Sequence, residues 1–287
     1  MKKKKYAVFT VDVETFSDTE CVSYSGEPVD VDLLDGLEEY ISVLDRHGIK
    51  STMFTVGTLA PQIADRLRRH IHNGHRLALH NYAHIAPMDI STDKFREQVA
   101  EAKNMLSQMF GVSVEGFRAP CFSLDKERLD ILRELGFRYD SSSIGFSKAR
   151  HTVKLDLTDF QQCRTGIMRR DGFYEFELSR QNVFGQPFPI SGGGYVRLGD
   201  WGFIKALISR YVRNNDYYVF YLHPFEMTRE KIPFLKNLKG YDKYYLHAGI
   251  ATYRKKLEWI ISQLKKHDFE FVTFEELAGI LDRQPAS

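Results

Sequence analysis

Apolar and polar positions along the 287-residue chain switch repeatedly between a strand-like and a helix-like period. Tyr6–Asp12 is a short apolar run of strand type. After a loop rich in Asp, Ser, Glu and Gly, the stripe Leu34, Leu37, Ile41 and Leu44 predicts a helix from near Val31 to His47, stopped by Gly48. The pattern continues with a strand at Thr52–Val56, a helix at Ala60–Asn73 ending on Gly74, and a strand at Arg76–His80. Ser91 caps a long helix that runs to Phe110 and closes on Gly111; a strand ends at Gly116–Arg118, and a helix at Lys126–Leu135 closes on Gly136.

The stretch near 143–194 reads differently, with β-branched and aromatic residues mixed with charges and a Gly192-Gly193-Gly194 turn, so hairpins or an elaborated loop are expected there. Alternation returns with a helix near Trp201–Arg213, a strand at Tyr217–Leu222, a helix at Ile250–His267, a strand at Glu270–Thr273 and a last helix at Phe274–Leu281. Alternating β and α units predict a parallel sheet, open or closed into a barrel. No repeat, low-complexity segment or linker-like stretch interrupts residues 1–287, so a single domain is expected.

Charge changes this picture little. The chain carries 40 basic and 38 acidic residues, a net charge of +2, which gives no reason to expect a nucleic acid or other polyanion. The run Lys2 to Lys5 reads as a solvated end. Tyr6–Val11 is too short for the apolar core of a signal peptide, and no run approaches the ~18–20 residues of a membrane span. A soluble, cytoplasmic protein is the expectation. Cys21, Cys121 and Cys163 are few, odd in number and far apart, as reduced thiols are.

Four polar clusters follow predicted strands: Asp12-Val13-Glu14, His80 to His84, Arg118-Ala119-Pro120-Cys121, and His223-Pro224-Phe225-Glu226. Strand ends are where a β/α barrel collects catalytic groups. Two histidines four apart with a nearby acid can hold a divalent ion and leave positions open for water and substrate; taken alone, the same pair suits a surface hydrogen-bonding role. Carboxylates at a strand end can equally be solvated or cap a turn. Pro120 restricts Ala119 to extended backbone, and an arginine fixed there can grip a carboxylate in bidentate fashion, unless it is only a surface arginine on an edge. The apolar strand Tyr217–Leu222 leads straight into His223, which is placed either for general acid work or as a buried structural histidine.

In this order the clusters resemble the polysaccharide deacetylase superfamily of carbohydrate esterases. The motifs are Thr10-Val11-Asp12-Val13-Glu14, His80 to His84, Phe117-Arg118-Ala119-Pro120 and Leu222-His223-Pro224. Gly136 to Ser142, Gly192-Gly193-Gly194-Tyr195 and His223-Pro224-Phe225-Glu226 are similar to the bacterial branch associated with exopolysaccharide and surface-glycan loci. The resemblance implies a distorted (β/α) barrel, here with seven strands and the 143–194 insertion. It also implies one divalent metal ion of zinc type, held by His80, His84 and Glu14. Asp12 is then the general base, Arg118 its orienting partner and His223 the general acid. Substrate would meet Pro120, Cys121, Gly193, Gly194, Tyr195 and Glu226.

Two departures from the family pattern matter. Glu14, one residue beyond Val13, stands for the second of two adjacent aspartates, and Cys121 replaces a tyrosine, with its backbone N–H as the group of interest and its thiol as an outside candidate for a further ligand. Asp200-Trp201 has the letters of the family's fourth motif but lies too near His223 in sequence, leaving Asp140 and Glu226 as candidates to tune that histidine. The implied activity is removal of an N-acyl group, expected to be N-acetyl, from an aminosugar, glycan or lipid-linked glycan intermediate. A homo-oligomer is left open. The rivals are another amidase on the same scaffold, such as a deformylase of a lipid-linked aminosugar or an allantoinase-like enzyme, and a glycan-binding member without turnover.

Overall fold

The computed structural model describes residues 3–145 and 154–284. In chain order its strands are β1 (Lys5–Val13), β2 (Ser51–Thr55), β3 (Arg76–Leu79), β4 (Gly116–Phe117), β5 (Tyr139–Asp140), β6 (Gln161–Arg164), β7 (Ile167–Arg170), β8 (Phe173–Phe176), β9 (Arg180–Val183), β10 (Gln186–Pro189), β11 (Tyr217–Phe220) and β12 (Phe269–Phe271). The strands β11, β1, β2, β3, β4, β5 and β8 lie side by side in that order, each parallel to its neighbour. β7 and β6 continue beyond β8 as antiparallel strands, and β12 pairs with the first residues of β1. The insertion therefore forms hairpins, β6 to β8 in the main sheet and β9–β10 outside it; its residues 146–153 lie outside the described ones.

Successive residues of a strand face opposite sides, and β1 is buried on both. Ala7, Phe9, Val11 and Val13, with Met53, Leu77, Leu79, Phe117, Tyr218 and Phe220, pack beneath the helices. Tyr6 and Val8, with Phe54, Ala78, Tyr139, Tyr174, Phe176, Tyr217 and Val219, join a second cluster with Phe274, Leu277 and Leu281 of the last helix. One face of so many adjacent strands can converge on one cluster only if the sheet curls around it. The ladder has no pairing between β8 and β11. That seam is bridged by the Val219 N–H donating to Ser179 Oγ (2.9 Å), the Tyr221 N–H donating to the Ser191 carbonyl (2.7 Å), and a single bridge from Gly192 to Tyr221.

Local chemistry moves two boundaries. The helix expected from Val31 runs over Asp35–Arg46, because Asp32 Oδ1 accepts the Leu34 N–H at 2.9 Å and Leu33 is left-handed, with φ of 52°; a side-chain turn competes there with the helix. The glycines 192–194 do not make a free turn: they open a short helix, Gly193–Leu198. The helix Thr92–Phe110 begins and ends as its cap residues predict, with Ser91 accepting the Lys94 N–H and Gly111 at φ 65°.

Helix Asp35–Arg46 also clamps the turn after His223. Asp35 accepts hydrogen bonds from Thr228 Oγ1 (2.5 Å) and the Arg229 N–H (2.8 Å), while a β-carbon on Gly36 would overlap the Pro224 carbonyl. Replacing an interior helix glycine by alanine ordinarily stabilises by about 0.5–1 kcal/mol. At Gly36 the sign should reverse, with a loss of about 1–3 kcal/mol from overpacking in urea unfolding of Gly36→Ala.

Candidate metal centre and active site

Four strand ends meet above the inner cluster. On the inner face of β1, Thr10 and Asp12 follow Tyr6 and Val8 at every second residue, and Glu14 comes just past the end of the strand. The Asp12 N–H donates to the Leu222 carbonyl (3.0 Å), which sets His223 beside Asp12, its Nε2 4.0 Å from Asp12 Oδ2. β3 delivers His80. Asn81 then turns left-handed (φ 64°) and its Nδ2 donates to the Ile85 carbonyl (2.9 Å), folding the chain back so that the His84 ring lies 5.2 Å from that of His80. Asparagine tolerates that backbone because its short polar side chain bonds locally.

Glu14, His80 and His84 offer ligand atoms that all lie within 4.8 Å of one another. Glu14 Oε2 is 2.7 Å from His84 Nε2 and 3.6 Å from His80 Nε2, yet this buried oxygen makes no hydrogen bond. His80 Nδ1–H donates to the Arg118 carbonyl (2.8 Å), so its Nε2 keeps a lone pair facing Glu14. A histidine ligand is usually held in this way by its other nitrogen. Burial pushes the Glu14 carboxyl up, but the charges of His84 and His223 outweigh it and hold it well below the usual range. Burial lowers His84, and Glu14 more than reverses that. An orphaned buried oxygen, a lone pair of fixed tautomer and a second imidazole fit a divalent ion of zinc type. Cys121 is outside the trio, and its thiol is pushed up to about 12, chiefly by burial, so it stays a neutral thiol.

Arg118 is fully buried. Its Nη1 donates to Asp12 Oδ1 (2.7 Å) and Thr10 Oγ1 (2.9 Å), its Nε to the Ser141 carbonyl and its Nη2 to Ser141 Oγ (both 3.0 Å). The expected bidentate grip on the carboxylate is not what forms. One nitrogen serves Asp12, the rest of the fork is committed to Ser141, and Asp12 Oδ2 is left facing His223. The next residue is held too: the Ala119 N–H donates to Ser142 Oγ (2.9 Å), which donates to Asp140 Oδ1 (2.8 Å). Asp140 thus braces the Arg118–Ala119 turn and does not touch His223. Burial raises both Asp140 and its hydrogen-bonded neighbour Glu175, Glu175 the further, as two carboxyls sharing a proton require.

Glu226 is the acid that holds His223. The single turn Pro224–Met227 brings its Oε2 to 3.3 Å from His223 Nδ1, and the same oxygen accepts the His223 N–H (3.1 Å). Its Oε1 accepts from Arg197 Nε (2.8 Å). Burial works against the charged imidazole, but Glu14, Glu226 and Asp12 together raise His223 to about 9. Glu226 is wholly buried with both oxygens engaged, which corrects its expected place among the substrate contacts. At Gly193 and Gly194 the room their missing β-carbons leave is filled by Tyr221 and Tyr245 of the protein itself. Pro120 is buried at the start of its turn, Cys121 is left-handed (φ 56°) and half-buried, and Tyr195 lies at the surface, 43% exposed. Asp200 caps the helix Trp201–Asn214 by accepting the Phe203 N–H (2.8 Å). The sequence reading missed Arg197, Ser141, Ser142 and Glu175. The Ser pair stood in a motif noted only for its resemblance; the others had no local signal.

Residues 24–139, which carry His80, His84 and Arg118, match the polysaccharide deacetylase family model. Over that stretch the chain is similar to the polysaccharide deacetylase family. Residues 146–279, with Arg197, His223 and Glu226, match a domain of unknown function, DUF3473. Both regions meet at β1, which pairs with β2 on one side and β11 on the other. Among curated relatives, a peptidoglycan-N-acetylglucosamine deacetylase of Bacillus cereus is 23% identical over 104 residues, 36% of this chain and 38% of the relative. The matches span between 31% and 50% of the length of such relatives. In fold, a candidate polysaccharide deacetylase from Mycobacterium smegmatis superposes with a TM-score of 0.62 at 18% identity, covering 100% of this chain and 94% of that one. An allantoinase superposes with a TM-score of 0.60 at 15% identity over the same shares.

Purified protein should carry about one divalent metal ion per chain, measured by mass spectrometry of the element content. His80→Ala and His84→Ala should each lose it, since two remaining donors compete poorly with water. Cys121→Ser should keep it.

Proposed function

We propose that the chain is a metal-dependent N-deacetylase acting on an N-acetylated aminosugar within a glycan or glycan intermediate. The observation that carries this reading is that Asp12 and His223 face each other across 4.0 Å beside the Glu14–His80–His84 trio. When bound there, a divalent ion, with zinc the first candidate, supplies Lewis acidity that polarises the acyl carbonyl and acidifies the attacking water. Asp12 takes the water's proton on Oδ2, the oxygen that Arg118 does not hold. His223, kept protonated by Glu226 and aimed by it through Nδ1, gives its proton from Nε2 to the departing nitrogen. The acyl carbon–nitrogen bond breaks with that transfer, leaving acetate and a free amine; an unprotonated amine is too poor a leaving group for the step.

The relative from Bacillus cereus acts on N-acetylglucosamine in peptidoglycan by its name, which makes an N-acetylglucosamine unit the first substrate to try. A deformylase or an allantoinase-like reaction would use the same machinery, because a shared fold does not choose the substrate. We place the protein in the cytoplasm, in keeping with its three thiols.

Acetate release from a panel of N-acetyl sugars tests the reading. Asp12→Asn should lose about 10²–10⁴ in turnover while keeping metal, whereas Glu14→Gln should lose metal first. Acetate release by Asp12→Asn at the full rate would remove the general base.

The pH profile tests the imidazole. Activity should fall on the alkaline side as His223 loses its proton. Glu226→Gln removes a negative neighbour that favours imidazolium, so that limb of kcat/KM should move to lower pH. Asp140→Asn should leave the limb where it is.

A further inference from the structure

Phe184 occupies a position that the fold itself does not explain. It forms the tip of the β9–β10 hairpin with Gly185, and the two have φ of 49° and 81°. Turns of this kind favour Asn-Gly, because both central residues must be left-handed. A phenylalanine there is strained, and its ring is 102% exposed and joins no hydrophobic cluster. Strain and exposure at one residue call for a contact outside the chain.

The surroundings indicate its chemistry. The hairpin rests on the helix Trp201–Asn214, where Phe188 meets Phe203 edge to face at 5.6 Å, and Phe203 is itself 44% exposed. From Phe203 the exposed positions Ala206, Arg210 and Arg213 recur at helical spacing, apolar near the hairpin and cationic beyond. Neither arginine joins an ion pair among the described residues. Between Leu178 and Asn215 the sequence contains a single acid, Asp200, already engaged as a helix cap; with Arg197 buried on Glu226 and Arg180 paired to Glu177, the basic residues left are Lys205, Arg210 and Arg213. Elsewhere acids and bases are nearly balanced.

We propose that this hairpin and helix stripe dock on an anionic lipid surface, Phe184 entering the boundary of the acyl chains while Arg210 and Arg213 meet the headgroups. A lone projecting ring with diffuse positive charge behind it suits a bilayer interface, which needs no matching pocket. Among the described residues no helix is long and apolar enough to cross a membrane. The hairpin returns into Ser191–Gly193, which is joined to Tyr221, two residues before His223.

The test is sedimentation of the full chain with vesicles of phosphatidylcholine alone and with about a third phosphatidylglycerol. The protein should bind only the second kind, and less so as salt rises. Phe184→Asn installs the residue the turn prefers, so the melting temperature should hold or rise while binding weakens about tenfold or more. Arg210→Glu and Arg213→Glu should each weaken binding about fivefold or more. Turnover of a soluble N-acetyl sugar should not change in any of these variants, which separates this proposal from the catalytic one. Failure of the wild-type chain to bind anionic vesicles would overturn it, as would Phe184→Asn binding as tightly as wild type. A Phe184-dependent dimer in light scattering without vesicle binding would assign the surface to a protein contact instead.

Discussion

The guanidinium of Arg118 is the interaction on which the rest of the site depends. It lies fully buried at the mouth of the curled sheet, 4.1 Å above the Phe54 ring, and its hydrogen bonds tie Thr10 and Asp12 of β1 to Ser141 just beyond β5. Its own carbonyl fixes the tautomer of His80. One residue thus sets the free oxygen of Asp12 and the free nitrogen of His80. A buried ion pair is rarely a net source of stability, but removing one partner strands a charge and is costly. The pair makes sense here as a device for geometry.

The buried charges explain why two imidazoles are raised. Asp12, Glu14 and Glu226 bring three carboxylates into the site, and Arg118 and Arg197 bring two guanidinium groups. That leaves one negative charge in excess, and Glu14 in particular raises both His84 and His223 despite burial. A divalent ion at Glu14 would compete with a proton on His84 for that charge. His223 would lose the support of Glu14 to that ion and keep that of Glu226, which reaches its Nδ1 at 3.3 Å.

Much of the architecture was legible in the chain because it is periodic. The alternation of strands and helices, the caps at Ser91 and Gly111, and the placing of Asp12, His80, His84, Arg118 and His223 at strand ends all follow from short-range patterns. What the sequence hid is pairing across distance or local competition. Nothing near Arg197 announces that it will meet Glu226, and nothing near Glu175 announces Asp140. The glycines 192–194 carried a real signal, close backbone approach, but the approaching groups are tyrosines of the protein. Glu226 was visible as a candidate in two roles, and only its burial between Arg197 and His223 separates them. At Asp32 a side chain captures the backbone and delays a helix that the apolar stripe alone would start earlier.

The seam between β8 and β11 has a consequence for motion. Around β1 and β2 the curled sheet is held by repeated backbone ladders, which open only together. Across the seam the links are one serine hydroxyl, a few isolated carbonyls and a single bridge, so each can break without disturbing the others. Local opening of a protein takes place where such cooperative bonding is thinnest. The amides of Val219 and Tyr221 should therefore exchange with solvent faster than those of β1 or β2. The sheet can breathe along this line, beside His223, while the ladders around β1 and β2 stay shut.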